Sequence, residues 1–276
     1  MLSAFALGAW NGAGMRCVSI SRIKKNDQEG NRPRDPRHVY ANPLTPSICP
    51  VLALAIFWAT SSFDDTDRLF PGNNQYERFR KCLHRLFETE DISQELRRRG
   101  IGKDELGTHS MRKGAATYYA SGSTACLSST AVHFRTGWSL DGVQNTYLRY
   151  EAARDMHVGR TVTGLPPGSH EFAALAPHFG EQDSLVESAI SCTFPGLPDH
   201  LKFVGEFCLA SLVYHSHYLR SHLSIEHPLL ESILFNTRHN SGVSSSHRNV
   251  ADQIQIYLEI VLRHYSILLM YSVLGE

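Results

Sequence analysis

The chain has no net charge: 27 Lys+Arg balance 27 Asp+Glu. A uniform electrostatic field that would gather polyanions by bulk attraction is thereby excluded. The six cysteines (Cys17, Cys49, Cys82, Cys126, Cys192, Cys208) include no C-x-x-C pair, which argues against a zinc module or disulfide framework and fits a reducing compartment, nucleus or cytoplasm. No metal is expected, since His215, His217 and His222 have no ligand-like spacing and no acidic or cysteine support. The opening MLSAFALGAW has no basic segment before its apolar residues, so no secretory signal is expected. Tyr265 to Leu274 is apolar but too short to span a bilayer, and Arg263 and His264 stop any extension. No internal repeat is present.

What is present is a charge division. Residues 1–165 hold 22 Lys+Arg against 16 Asp+Glu, a balance of +6, and residues 166–276 hold 5 against 11, a balance of −6. The texture also changes after Arg160, where TVTGLPPGSHEFAALAPHFG is rich in Gly and Pro. The expected organisation is a catalytic-like domain over residues 1–165 and a helical C-terminal extension over 166–276. Hydrophobic content of 42% and charged content of 20% suit a globular chain able to bury a core.

The expected fold is mainly α with a small β-hairpin or sheet. Residues 21–44 carry turn formers Asn26, Asp27 and Gly30, and Pro33 and Pro36 exclude helix. This reads as a hairpin or extended arm, with Val39 and Tyr40 ending a strand. Pro50 then opens a buried helix, VLALAIFWA. Residues 75–90 are the cleanest amphipathic helix, with Tyr76, Phe79, Leu83, Leu86 and Phe87 at helical spacing; this stripe is read as core. Further helices are expected around 183–191, 200–222, 226–236 and 250–274.

One stretch carries chemistry: GTHSMRKGAATYYASGSTACLSSTAVHFRTGWSLDGVQNTYLRYE, Gly107 to Glu151. It reads as three short helices. In the first, His109 and Arg112 lie one turn apart on one face, and Ala115, Ala116, Tyr118 and Tyr119 suit burial. The second runs from about Leu127 to Arg135, and the third opens after Ser139 and carries Tyr147. A phosphodiester under attack gathers negative charge on its non-bridging oxygens, which a planar, permanently charged arginine fork can hold. A tyrosine phenol can form a covalent phosphoryl bond that conserves the energy of the broken strand. Histidine can donate to the same phosphate or move protons near neutral pH.

H-x-x-R at His109 and Arg112, a glycine followed by Trp138, and a tyrosine nine residues on resemble the tyrosine recombinase (phage integrase) family. The wording is closest to the crypton-type recombinases of mobile elements, where Trp replaces the usual second His. The resemblance implies a recombinase-like catalytic fold, incomplete at its N-terminus, in which Tyr147 attacks DNA to give a 3′-phosphotyrosyl link. It implies that Arg112, His109 and Trp138 hold the phosphate, and that Lys25, on the hairpin, protonates the leaving 5′-oxygen. Arg16, six residues after Trp10 where the family has five, matches the first arginine. Tyr150 is the rival nucleophile. Arg32, Arg34, Arg37, Lys113 and Arg149 would contact the DNA backbone. The implied partner is double-stranded DNA, with further protomers on it and no cofactor. The interval from Arg16 to Lys25 is shorter than the family fold fills. An inactive, domesticated DNA- or chromatin-binding descendant is therefore the alternative, followed by a type IB topoisomerase-like enzyme.

Overall fold

The computed structural model describes residues 18–20, 37–63, 69–121, 129–136, 152–179, 184–232 and 234–235. The fold is mainly helical. Strand β1 (Val18–Ile20) pairs antiparallel with β2 (Arg37–Val39), in the register Val18 with Val39 and Ile20 with Arg37. Strand β2 falls near the end of the hairpin or arm expected over residues 21–44, while β1 lies just before it, and the turn formers Asn26, Asp27 and Gly30 lie outside the described residues.

Ten helices follow among the described residues: α1 (Pro50–Ala59), α2 (Gln75–Glu88), α3 (Glu90–Arg98), α4 (Thr108–Ser121), α5 (Ser129–Thr136), α6 (Ala152–Val162), α7 (Ser184–Thr193), α8 (Lys202–Tyr214), α9 (Ser216–His222) and α10 (Pro228–Glu231). None is long and apolar enough to cross a membrane.

The start of α1 is set locally. Pro50 occupies the first turn, where its missing N–H costs nothing, and Cys49 Sγ accepts from the Leu52 amide at 3.5 Å. The helix is apolar around most of its circumference and packs against α8, with α7 also packed on α8. Together they form the larger core, including Leu52, Ala55, Trp58, Ile190, Phe194, Val204, Leu209 and Leu212. Trp58 donates its indole N–H to Leu69 O at 2.8 Å, and its ring meets Phe63 and Phe194 edge-on. Where α7 approaches α8, a Cβ at Gly205 would lie 2.7 Å from Leu197 Cδ2 and 3.2 Å from Ile190 Cγ2, so a side chain there would require those two side chains to shift. Residues from both sides of position 165 share this core.

Two expectations about burial are corrected. Of the α2 stripe, Leu83 is buried at 5% exposure, but Tyr76, Phe79 and Leu86 are 62%, 46% and 50% exposed. Among the described residues α3 is the principal neighbour of α2, and most of the stripe is left exposed. Likewise α4 buries Tyr119 against a smaller cluster of Ala131, Val132 and Val158, while Ala115 and Tyr118 face solvent. Small residues favour a helix whether or not it is covered.

At the α8–α9 junction His215 is buried and its Nε2 has no hydrogen-bond partner among the described residues, nor has Ser211 Oγ one turn earlier. Desolvation holds the His215 pKa down to about 4. An unfolded chain takes up this proton below about pH 6.5 while the folded one does not, so stability falls as pH drops from about 6.5 towards 4. The loss should reach at most about 3 kcal/mol, and His215→Leu should flatten that part of the pH profile in urea titrations. Leu209→Ala should cost about 2–5 kcal/mol at neutral pH, read as a lower denaturation midpoint.

Candidate nucleic-acid site

The smaller cluster supports the side of the molecule that carries the H-x-x-R pair. Helix α4 follows a 3-10 turn at Lys103–Glu105, and the Gly107 amide donates to Ser110 Oγ at 3.1 Å, shaping its first turn. His109, Arg112 and Lys113 are all exposed on it. Arg112 donates from Nη2 to the carbonyl of Thr136, the last residue of α5. A guanidinium is well matched to that position, because the final carbonyls of a helix have no partner within it and carry the negative end of its dipole.

The residue that ties this region together is Asp155, in the first turn of α6 and 4% exposed. Its Oδ2 accepts from the His38 amide at 2.9 Å and lies 2.8 Å from His38 Nδ1. Its Oδ1 accepts from Arg135 Nη1 at 2.8 Å, and Arg135 Nη2 donates to His38 O at 2.8 Å. Burial pushes the carboxyl pKa up, but the His38 ring and amide and the Arg135 guanidinium outweigh it and leave the pKa below its usual value. An ionised carboxylate only accepts, so the His38 nitrogen facing it carries the proton.

This node joins strand β2 to the end of α5 and the start of α6. The crossing is close: a Cβ at Gly159, one turn beyond Asp155, would lie 2.7 Å from His38 O and 3.0 Å from the Tyr40 ring. The next residue, Arg160, lies over the Tyr40 ring at 4.8 Å and donates to Phe172 O at 2.6 Å. His157, between Tyr119 and Phe172, is held below its usual pKa by burial and then by Arg160. Asn42 continues the seam, donating to Thr163 O at 2.8 Å and accepting from the Leu44 and Thr45 amides.

Of the expected site residues, His109, Arg112 and Lys113 lie together on α4, and the backbone of Arg37 lies in β2. Arg16, Lys25, Arg32, Arg34, Trp138, Tyr147, Arg149 and Tyr150 lie outside the described residues. Sequence reasoning did not single out His38, Arg135 or Asp155. Arg135 lies inside the Gly107–Glu151 stretch and Asp155 four residues beyond it, but nothing in their separation of 20 residues, or in the 117 residues between Asp155 and His38, marks a contact. Among the described residues no group of three His, Cys, Asp or Glu is placed to hold a metal ion.

No protein-family model, curated protein or solved structure matches the chain.

Removing the carboxylate leaves a part-buried guanidinium and a buried histidine without the group that both contact. Asp155→Ala should therefore cost about 3–5 kcal/mol, measured by urea denaturation. Because the folded pKa is depressed, the stabilisation by Asp155 is complete above the unfolded value of about 3.9 and is lost as pH falls through the folded one. The variant should accordingly lack the steepest, most acidic part of the unfolding profile.

Proposed function

We propose that this chain is a DNA strand transferase of the tyrosine recombinase type, of mobile-element origin, working on double-stranded DNA in the nucleus. The observation that carries the reading is the linkage of Arg112 and Asp155 to the segments that bear the remaining candidates. Arg112 follows His109 by one turn and docks on Thr136, two residues before Trp138 in sequence. The Arg135–Asp155 ion pair, 2.8 Å long, ties together α5 and α6, the two helices that bracket residues 137–151 and so Tyr147. His38, bound to the same carboxylate, belongs to the strand that ends the connection carrying Lys25, Arg32 and Arg34.

In the proposed reaction the Tyr147 phenolate oxygen attacks the scissile phosphorus. A tyrosine O–P bond forms, the P–O bond to the 5′-oxygen breaks, and Lys25 gives that oxygen its proton. Arg112, with His109 and Trp138, would hold the charge that builds on the non-bridging oxygens, and Arg16 would add the second guanidinium. In this scheme the arginines supply the electrostatic stabilisation that a cation gives in other phosphoryl-transfer sites. Lys113 on α4, and Arg37 and Arg149, would contact neighbouring phosphates, which fix register without reading sequence.

One observation favours a second reading, a descendant that binds DNA or chromatin without cutting it. The Arg112 guanidinium already serves its own main chain at Thr136, a contact that suits a structural arginine as well as a catalytic one.

A nicked suicide DNA substrate separates the two. The active enzyme forms a protein–DNA adduct that survives denaturation, disappears in Tyr147→Phe and persists in Tyr150→Phe. Arg112→Ala should slow its formation by about 10²–10³-fold. DNA binding that weakens with salt but never yields an adduct would establish the non-enzymatic reading instead.

A further inference from the structure

The Arg112 guanidinium takes its bearing from the end of α5, where its Nη2 donates to the carbonyl of Thr136. A planar fork held at one nitrogen has a defined plane, so the place of that carbonyl decides how the fork can meet a phosphate. Whatever fixes Thr136 is therefore part of the site. The Thr136 hydroxyl turns back to the Val132 and His133 carbonyls, which ties the residue only to its own helix. The members of α5 in the smaller apolar cluster, Ala131 and Val132, lie about a turn earlier.

Arg135, the residue before Thr136, is held from outside the helix. Its Nη1 donates to Asp155 Oδ1 at 2.8 Å and to Asp155 O at 3.3 Å, and its Nη2 donates to His38 O at 2.8 Å. One rigid peptide unit separates Arg135 from Thr136, so a displaced Arg135 carries the Thr136 carbonyl with it. A continuous path results. It runs from the buried carboxylate through the Arg135 fork and the last turn of α5 to Arg112.

We infer that Asp155 is a positioning residue for Arg112: through Arg135 it sets the end of α5, and with it the plane in which the Arg112 guanidinium meets the scissile phosphate. The inference rests on the strand-transfer reading and adds to it a buried residue that takes no part in bond making or proton transfer.

Asp155→Asn keeps the side-chain shape and one acceptor oxygen but lacks the charge that shortens and strengthens the bond to Arg135. The variant is first shown to be folded by circular dichroism and urea titration, then saturated with the nicked suicide substrate. It should form the adduct roughly 10- to 100-fold more slowly than the unaltered chain, with no loss of DNA affinity. Removing a negative charge near a polyanion would by itself favour the complex, so a slower reaction reports geometry and not field. Because the effect runs through Arg112, adding Asp155→Asn to Arg112→Ala should slow the reaction no further than Arg112→Ala alone. If Asp155→Asn does not fold, Arg135→Lys serves with the same two expectations, since a single ammonium cannot span Asp155 and His38 O as the fork does. A folded variant as fast as the unaltered chain, or a loss that adds in full to that of Arg112→Ala, would overturn the inference and leave strand transfer standing. No adduct from the unaltered chain would overturn both.

Discussion

A carboxylate removed from water is tolerated only when donors replace what water supplied, and Asp155 obtains those donors from two distant parts of the chain. The His38 amide and ring and the Arg135 guanidinium converge on it, and Arg135 in turn binds His38 O. Sliding β2 along α6 by one residue would strip Asp155 of the His38 donors, and rotating α5 would remove the third. The attraction between buried charges repays their desolvation only when the geometry is well matched, so the node contributes more to register than to net stability. Gly159 is its steric counterpart, since any side chain there would strike the same His38 carbonyl.

The node matters because apolar packing on this side of the molecule is thin. The larger core rests on α1 and α8, helices apolar enough to be enclosed by their neighbours. The cluster beneath α4 has four buried members, Tyr119, Ala131, Val132 and Val158. Directional polar contacts hold the two regions in register. Asn42 bonds to Thr163 O and, through its own amide, to the Cys49 sulfur that caps α1. The exit of β2, the end of α6 and the start of α1 therefore meet around one side chain. Glycine at position 164, with φ of 83°, lets the chain turn away beneath Asn42 and Ile48.

The large core was legible because its cues are local and agree: Pro50 at the helix start, an unbroken apolar run in α1, and helical spacing near the helices observed as α7 and α8. The H-x-x-R pair was legible for the same reason, as two residues one turn apart need only a helix to share a face. Burial was not. Periodicity marks which face of α2 is apolar, but whether that face is covered depends on elements far off in sequence. The Asp155 node was illegible for a related reason. A buried aspartate, a histidine and an arginine resemble any surface charges until tertiary structure brings them together, and no local pattern records a separation of 117 residues.

The same logic changes what the basic half of the chain means. An excess of six positive charges over residues 1–165 suggests a surface ready for phosphate, but much of it is committed internally. Arg135 is held by Asp155, Arg80 by Glu77, Arg97 by Glu90, and both Arg98 and Arg99 by Glu95. Arg160 binds the Phe172 carbonyl and stacks on Tyr40. Among the described residues, Lys103, Lys113 beside His109 and Arg112, and Arg78, Lys81 and Arg85 on α2 are the main cations outside such pairs. If DNA lies against α4, as proposed, its affinity must come from that small group and from the segments bearing Lys25, Arg32, Arg34 and Arg149. Each neutralised phosphate adds roughly −0.9 to the slope of log affinity against log salt. The slope then counts the phosphate contacts made, and the internal ion pairs drop out of it.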